Sequence, residues 1–230
     1  MTTTLTKLEL LIQVICLLIT LYASIRCNLE DDRLSSAASF ADLPFHMNII
    51  SSFTIGVNRE RRSIFDVWSN FHTGIPLSYP MIHNYYSALL LICDDISLKT
   101  VLNVTTVLLS FSFFFLLNRI AFTFAGERVV SALTPLIWLT LGGIGYLMLP
   151  YEGLEHDIMK NWISHFNKDT GSFFMQPLAH VLIAQRSALF SMPICCCAIL
   201  CFMNGVKDFS LRHFIMAGVC TGFLPQLQVH

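Results

Sequence analysis

Long apolar runs separated by shorter polar breaks occupy most of this 230-residue chain. A bilayer core of about 30 Å needs about 20 apolar residues in helical form. By that criterion six segments are predicted to span a membrane, at roughly 8–25, 77–93, 100–118, 129–149, 188–206 and 212–230. The pattern therefore predicts an all-α fold: a polytopic transmembrane helical bundle, residues 1–230, forming a single membrane domain.

The first run follows Lys7 and is longer than the apolar core of a signal peptide, and Tyr22-Ala23-Ser24 is a poor cleavage site, so an uncleaved anchor is expected. The second run is amphipathic in its first half, where Tyr79, Pro80, His83, Asn84, Tyr85 and Tyr86 suit a headgroup boundary. Asp94, Asp95 and Lys99 then leave room for a short turn, so the second and third runs are predicted to form an antiparallel hairpin. Gly142, Gly143 and Gly145 near the end of the fourth run suggest close helix approach. The sequon Asn103-Val104-Thr105 falls inside the third run and is expected to be unmodified.

Two polar stretches, 26–76 and 150–187, exceed a simple connection. Both contain aromatic residues that disordered segments lack, including Phe45, Phe53, Trp68 and Trp162, so both are read as folded against the membrane face. Within the first, Phe45, Ile49, Ile50 and Phe53 recur at helical spacing after Pro44, which places Asp42 at or just before an N-cap and His46 one turn in. If Lys7 is cytoplasmic, 26–76 is the first extracytoplasmic loop. Simple parity then puts 150–187 in the cytoplasm, and one re-entrant or interfacial helix would reverse that. The final segment has no polar flank, and the chain is read as an N-terminal fragment of something longer.

Composition agrees with a lipid environment: 54% of residues are apolar, 13% are charged and 19 are Phe. A net charge of -1 offers no basic footprint for nucleic acid. Of the eight cysteines, Cys16, Cys195, Cys196, Cys197, Cys201 and Cys220 sit in apolar runs, and no zinc spacing occurs. Glu152, Glu155, His156 and Asp157 match no metal signature and read as a solvated acidic face with His165 and His180 nearby, so neither metal nor cofactor is expected.

Several short motifs occur in order: Asp42-Leu43-Pro44-Phe45-His46, Ser52-Phe53 and Gly56, Leu77-Ser78-Tyr79-Pro80 with Ser87-Ala88-Leu89-Leu90, Gln185-Arg186-Ser187, then Gly222-Phe223-Leu224-Pro225 and His230. Together they resemble a group of multi-pass membrane proteins, mostly prokaryotic, that are similar to the GT-C glycosyltransferases. The resemblance runs from about Asp42 to the end of the chain. It implies transfer of a sugar from a polyprenyl or dolichyl phosphate to an acceptor, with membrane lipid and the lipid-linked donor as partners, at the endoplasmic reticulum or plasma membrane. In that family a carboxylate soon after the first membrane helix acts as catalytic base. Asp42 matches by its neighbours, with His46 beside it, whereas Asp31 and Asp32 match by distance from the helix.

A sugar on a polyprenyl phosphate already carries a good leaving group, so one carboxylate suffices to take the acceptor's proton, and a cation must meet the departing phosphate. Arg186 is the first candidate for the cation, and Tyr79, His83 and Asn84 are candidates for substrate contacts. Relatives often carry an acid where this chain has Asn84. Other readings stay open: Asp42 as the cap of an interfacial helix, Arg186 as a snorkelling cation, and the whole as a non-catalytic membrane subunit or a transporter or channel. Transport is disfavoured because the apolar runs carry essentially no charge at their centres.

Overall fold

The computed structural model describes residues 5–27, 29–30, 33–34, 42–63, 65–94, 96–141, 165–167, 172–174 and 177–228. Its elements are α1 (Lys7–Cys27), the two-residue strands β1 (Leu29–Glu30) and β2 (Arg33–Leu34), α2 (Asp42–Thr54), α3 (Ile82–Asp94), α4 (Leu98–Ala125), α5 (Arg128–Thr140), strands β3 (His165–Asn167) and β4 (Ser172–Phe174), a π-helical turn (Pro177–Ile183), α6 (Arg186–Asp208), α7 (Leu211–Phe223) and a 3-10 turn (Leu224–Gln226). Each strand pair is a small antiparallel hairpin, and the architecture is helical.

Among the described residues three helices are long and apolar enough to cross a membrane: α1, the 28-residue α4 and the 23-residue α6. Only 39%, 39% and 33% of their respective apolar windows is buried within the protein, so most of each helix presents apolar surface outward. Leu11, Leu18, Leu108 and Phe202 lie on those outer faces, which suits a lipid solvent and would be costly in water. Helix α4 starts at the N-cap Ser97, whose hydroxyl accepts from Thr100 N at 3.2 Å, and stops at Gly126, where a φ of 70° turns the chain out of the helix.

Helices α1, α4 and α5 pack around Ile12, Cys16, Phe113, Phe114, Ala132 and Leu139, with Trp138 edge-on to Phe113 at 4.6 Å between ring centres. Two polar ties fix their directions. Near the end of α1, the Ser24 hydroxyl donates to Asn103 Oδ1 near the start of α4 at 2.7 Å. At the opposite end, the buried Glu9 carboxylate accepts from Thr6 N, the Thr6 hydroxyl and the Ser131 hydroxyl at 2.7–2.8 Å, and pairs with Arg128 at 3.3 Å. Helix α4 therefore runs antiparallel to α1, and α5 starts again at the Glu9 end. Asn103 and Thr105 of the sequon both lie on α4.

The helices differ from the predicted segments where proline intervenes. The run 77–93 contains only the 13-residue α3, too short to cross a bilayer. Pro80 disfavours helical geometry in the residue before it, and Leu77 and Tyr79 instead pack sideways against a cluster centred on Ile49, Ile50 and Phe53 of α2. The run 212–230 gives a 13-residue α7, because Pro225 cannot continue the helix and the chain turns at Leu224–Gln226. The third and fifth runs extend beyond their predicted limits as α4 and α6. Gly142, Gly143 and Gly145, and nearly all of 150–176, lie outside the described residues.

The first loop folds as expected on α2, although Asp42 is the first helical residue and Pro44 sits in the first turn, where its missing N–H costs nothing. Asn58 organises the chain that follows. Its amide donates to the Ser52 hydroxyl at 3.0 Å and to Trp68 O at 2.9 Å, and its Oδ1 accepts from Trp68 N at 2.7 Å. Gly56 allows this turn, since a Cβ there would lie 2.8 Å from Ser52 Cα. Arg61 donates to Asn58 O and lies over the Tyr85 ring at 4.3 Å, so it locks the loop to α3.

Replacing Asn58 by Ala removes all three bonds and leaves the Trp68 backbone N–H and C=O without these partners. The expected cost is about 1–3 kcal/mol, read as earlier thermal unfolding in detergent and faster proteolysis between α2 and α3. An unchanged melting profile would show that the loop is held by other contacts.

Candidate functional site

The site lies where α2, α3 and the N-terminal end of α6 meet the start of α4. Positions 42, 45, 46, 49, 50 and 53 share one helical stripe of α2. Its later members are buried against α3, while Asp42 remains exposed at the rim. On α3, His83, Asn84 and Ser87 are fully buried. The bundle core therefore carries an unusually polar layer at this end.

Arg186, the first residue of α6, is 1% exposed. Its Nη2 donates to Thr105 Oγ1 at 2.7 Å and Ser87 Oγ at 3.2 Å, and its Nη1 to Leu102 O at 3.4 Å and Thr106 Oγ1 at 3.5 Å. Each hydroxyl donates its own proton to a backbone carbonyl: Ser87 to His83 O, Thr105 to Val101 O and Thr106 to Leu102 O, at 2.6–2.9 Å. Their lone pairs therefore face the guanidinium. Phe190 adds a ring face 5.5 Å from Arg186 Cζ. Among the described residues no carboxylate pairs with this cation, and its Nε has no partner. Taking a charge out of water costs several kcal/mol unless an opposite charge compensates it, so an anion from outside the protein would be well received.

His46 and His83 stand beside this cation. His83 Nε2 is 3.3 Å from His46 Nδ1, with the rings edge to face at 5.0 Å. Burial first, and then the Arg186 charge, lower the pKa of His46 to about 4. Hydrogen bonding from the neighbouring Asn84 side chain opposes the shift, although the contact is not a fully formed hydrogen bond. Burial raises the pKa of the Tyr79 phenol, the adjacent Asp42 adds to that, and Ser187 opposes it.

A cavity of about 280 Å³ opens here, lined by Asp42, Phe45, His46, Tyr79, Gln185, Ser187 and Gln228. The residues singled out from sequence thus converge. Asp42, His46 and Tyr79 line the cavity, and Arg186, His83 and Asn84 form the buried layer beside it. Asp31 and Asp32 lie outside the described residues. Gln185 and Ser187 belong to a motif already noted, but Gln228 was missed, and its only signal was Pro225, which ends α7 and turns the chain back. Gln185, at the end of the second polar stretch, shares this cavity with Asp42, Phe45 and His46 of the first.

Residues that could hold a metal do not cluster among those described. No protein-family model, curated protein or solved structure matches this chain.

The His46 shift has a consequence for stability. Its folded pKa of about 4 lies below its ordinary value of 6.5, so between these values the unfolded chain binds a proton that the folded chain does not. Stability contributed by neutral His46 is complete above pH 6.5 and is lost as pH falls toward 4, by up to about 3 kcal/mol. His46→Gln should flatten the dependence of melting temperature on pH in that window. An equally steep acid loss in the variant would assign the effect to other groups.

Proposed function

We propose that this chain is a GT-C-like glycosyltransferase that moves a sugar from a polyprenyl phosphate to an acceptor at the membrane boundary where α1 ends. The observation that carries this reading is an exposed carboxylate, Asp42, on the wall of a cavity whose adjoining buried layer holds a guanidinium, Arg186, with no acidic partner among the described residues.

The division of labour follows from these two environments. The acceptor hydroxyl attacks the anomeric carbon in line as the bond from that carbon to the phosphate oxygen breaks, and Asp42 takes the hydroxyl proton. The electron pair of the broken bond leaves with the polyprenyl phosphate. Arg186 stabilises the growing negative charge in a site that water does not screen. Tyr79, Gln185 and Gln228 are placed to orient sugar hydroxyls from the cavity wall.

Asn84 favours a second reading. It is fully buried, with both amide atoms unpaired among the described residues, at a position where the resembling family often has an acid. A membrane subunit that binds lipid phosphate without turning it over would keep Arg186 and dispense with that acid.

Two variants separate these readings. Asp42→Asn should lower transfer of radiolabelled sugar from a polyprenyl-phosphate donor by about 10²–10⁴-fold without changing the melting temperature; full activity would remove Asp42 from the mechanism. Arg186→Met should abolish donor binding while leaving stability level or raising it, since an uncompensated buried charge is replaced by an apolar chain of similar size. A large loss of stability with donor binding intact would make Arg186 purely structural.

A further inference from the structure

The α6–α7 turn lies at the end of the bundle opposite the cavity. Helix α6 starts at Arg186, against Leu102 and Thr105 at the start of α4, and its Cys196 joins Phe113 and Phe114 in one core. The two helices therefore run side by side in the same direction, and Asp208 ends α6 about level with Ala125 at the end of α4. The 23 residues of α6 rise about 34 Å, enough to cross a bilayer core. Both helices thus reach the membrane boundary at the Glu9 end.

They stop there in different ways. Helix α4 ends on Gly126 at a φ of 70°, whereas α6 ends on Phe209 at a φ of 49°, the one residue other than glycine with positive φ among those described. The left-handed cap lets the N–H groups of Phe209 and Ser210 donate to Gly205 O. A glycine would make the same bonds without crowding a Cβ against its own carbonyl. The Phe209 ring is 91% exposed, so contacts within the chain do not offset that strain.

The surroundings of the ring indicate what does. Phe124 on the last turn of α4 is 74% exposed, and Leu211 is 72% exposed. Lys207 and Arg212 stand on either side of Phe209 in the chain, both exposed, and the exposed Lys7 begins α1 at this end. Asp208 and Glu127 are exposed acids nearby, while Glu9 and Arg128 pair with each other. Apolar rings and chains set among cations suit the zone between acyl chains and headgroups. Cations on short connections gather on the cytoplasmic side, the leaflet in which anionic lipid also concentrates.

We propose that the 207–212 turn is a docking site for anionic phospholipid, in which Phe209 inserts below the headgroups and Lys207 and Arg212 meet their phosphates. This site is separate from the cavity and does not rest on the sugar-transfer reading. By holding the far end of α6 in one leaflet, it sets the depth at which Arg186, at the near end of the same helix, meets the opposite boundary.

The test uses the full chain carrying Phe209→Trp in phosphatidylcholine vesicles with and without phosphatidylglycerol, the unsubstituted chain giving the background of Trp68, Trp138 and Trp162. At equal mole fraction, brominated phosphatidylglycerol should quench the added emission more than brominated phosphatidylcholine does, and high salt should remove the difference. Lys207→Gln or Arg212→Gln, added to Phe209→Trp, should each lower the preference for anionic lipid about fivefold. Emission that neither lipid quenches would overturn the proposal, and is the result expected if the ring docks on protein, including a second copy of this chain. Equal quenching by the two lipids, or a preference unmoved by both charge substitutions, would overturn it as well. Without any change at Phe209, the chain should melt higher in phosphatidylglycerol nanodiscs than in phosphatidylcholine ones, by a margin that shrinks when Lys207→Gln and Arg212→Gln are combined. Absence of that margin would overturn the proposal even if Phe209→Trp does not fold.

Discussion

The Arg186 guanidinium imposes the strictest condition on this end of the molecule. A buried cation must be surrounded by acceptors, and here they come from two other helices, through Ser87 on α3 and Leu102, Thr105 and Thr106 on α4. Hydroxyls serve only if their own protons are used elsewhere, and each donates to a carbonyl of its own helix. The register of α3 and α4 against α6 is therefore fixed by hydrogen-bond direction as well as by packing. Through α3, the same condition sets His83, and through the α2–α3 cluster it sets His46 and Asp42.

The opposite end of the bundle offers a contrast. Glu9 is as buried as Arg186, but a cation, two hydroxyls and a backbone N–H satisfy it, and the amide of Asn118 ties Ser131 O into the same layer. There the charge is compensated, and the layer reads as a joint between α1, α4 and α5. The Arg186 layer has neutral acceptors and no counter-charge among the described residues, and it adjoins a cavity. Burying charge is costly in both places. On the proposed reading, that difference separates a structural tie from a site prepared for a ligand.

Some of this was legible in the sequence because it is local. The spacing of Phe45, Ile49, Ile50 and Phe53 marks α2 as a helix with one buried face, and the apolar lengths of α1, α4 and α6 are sufficient in themselves. Other features depend on residues far apart in the chain. Nothing around Gln185-Arg186-Ser187 indicates full burial, because the acceptors lie 80 or more positions away. Apolar length also overstates a helix when a proline interrupts it, as Pro80 and Pro225 do. At both places, residues counted as membrane-spanning instead bring Tyr79 and Gln228 to the cavity wall.

The size of the cavity bears on how a lipid-linked substrate would be shared between protein and membrane. Drug-sized ligands occupy pockets of about 300–1,000 Å³, and about 280 Å³ here is at the lower limit of that range. On the proposed reading it admits a sugar ring and its phosphate, and the polyprenyl tail remains in lipid. Affinity would then come from two separate sources: the tail's preference for the bilayer, and the match between one anion and the buried Arg186. The first concentrates any lipid phosphate at the membrane. The second rewards only a headgroup that reaches the polar layer, so discrimination among headgroups would reside in the shallow wall formed by Tyr79, Gln185, Ser187 and Gln228.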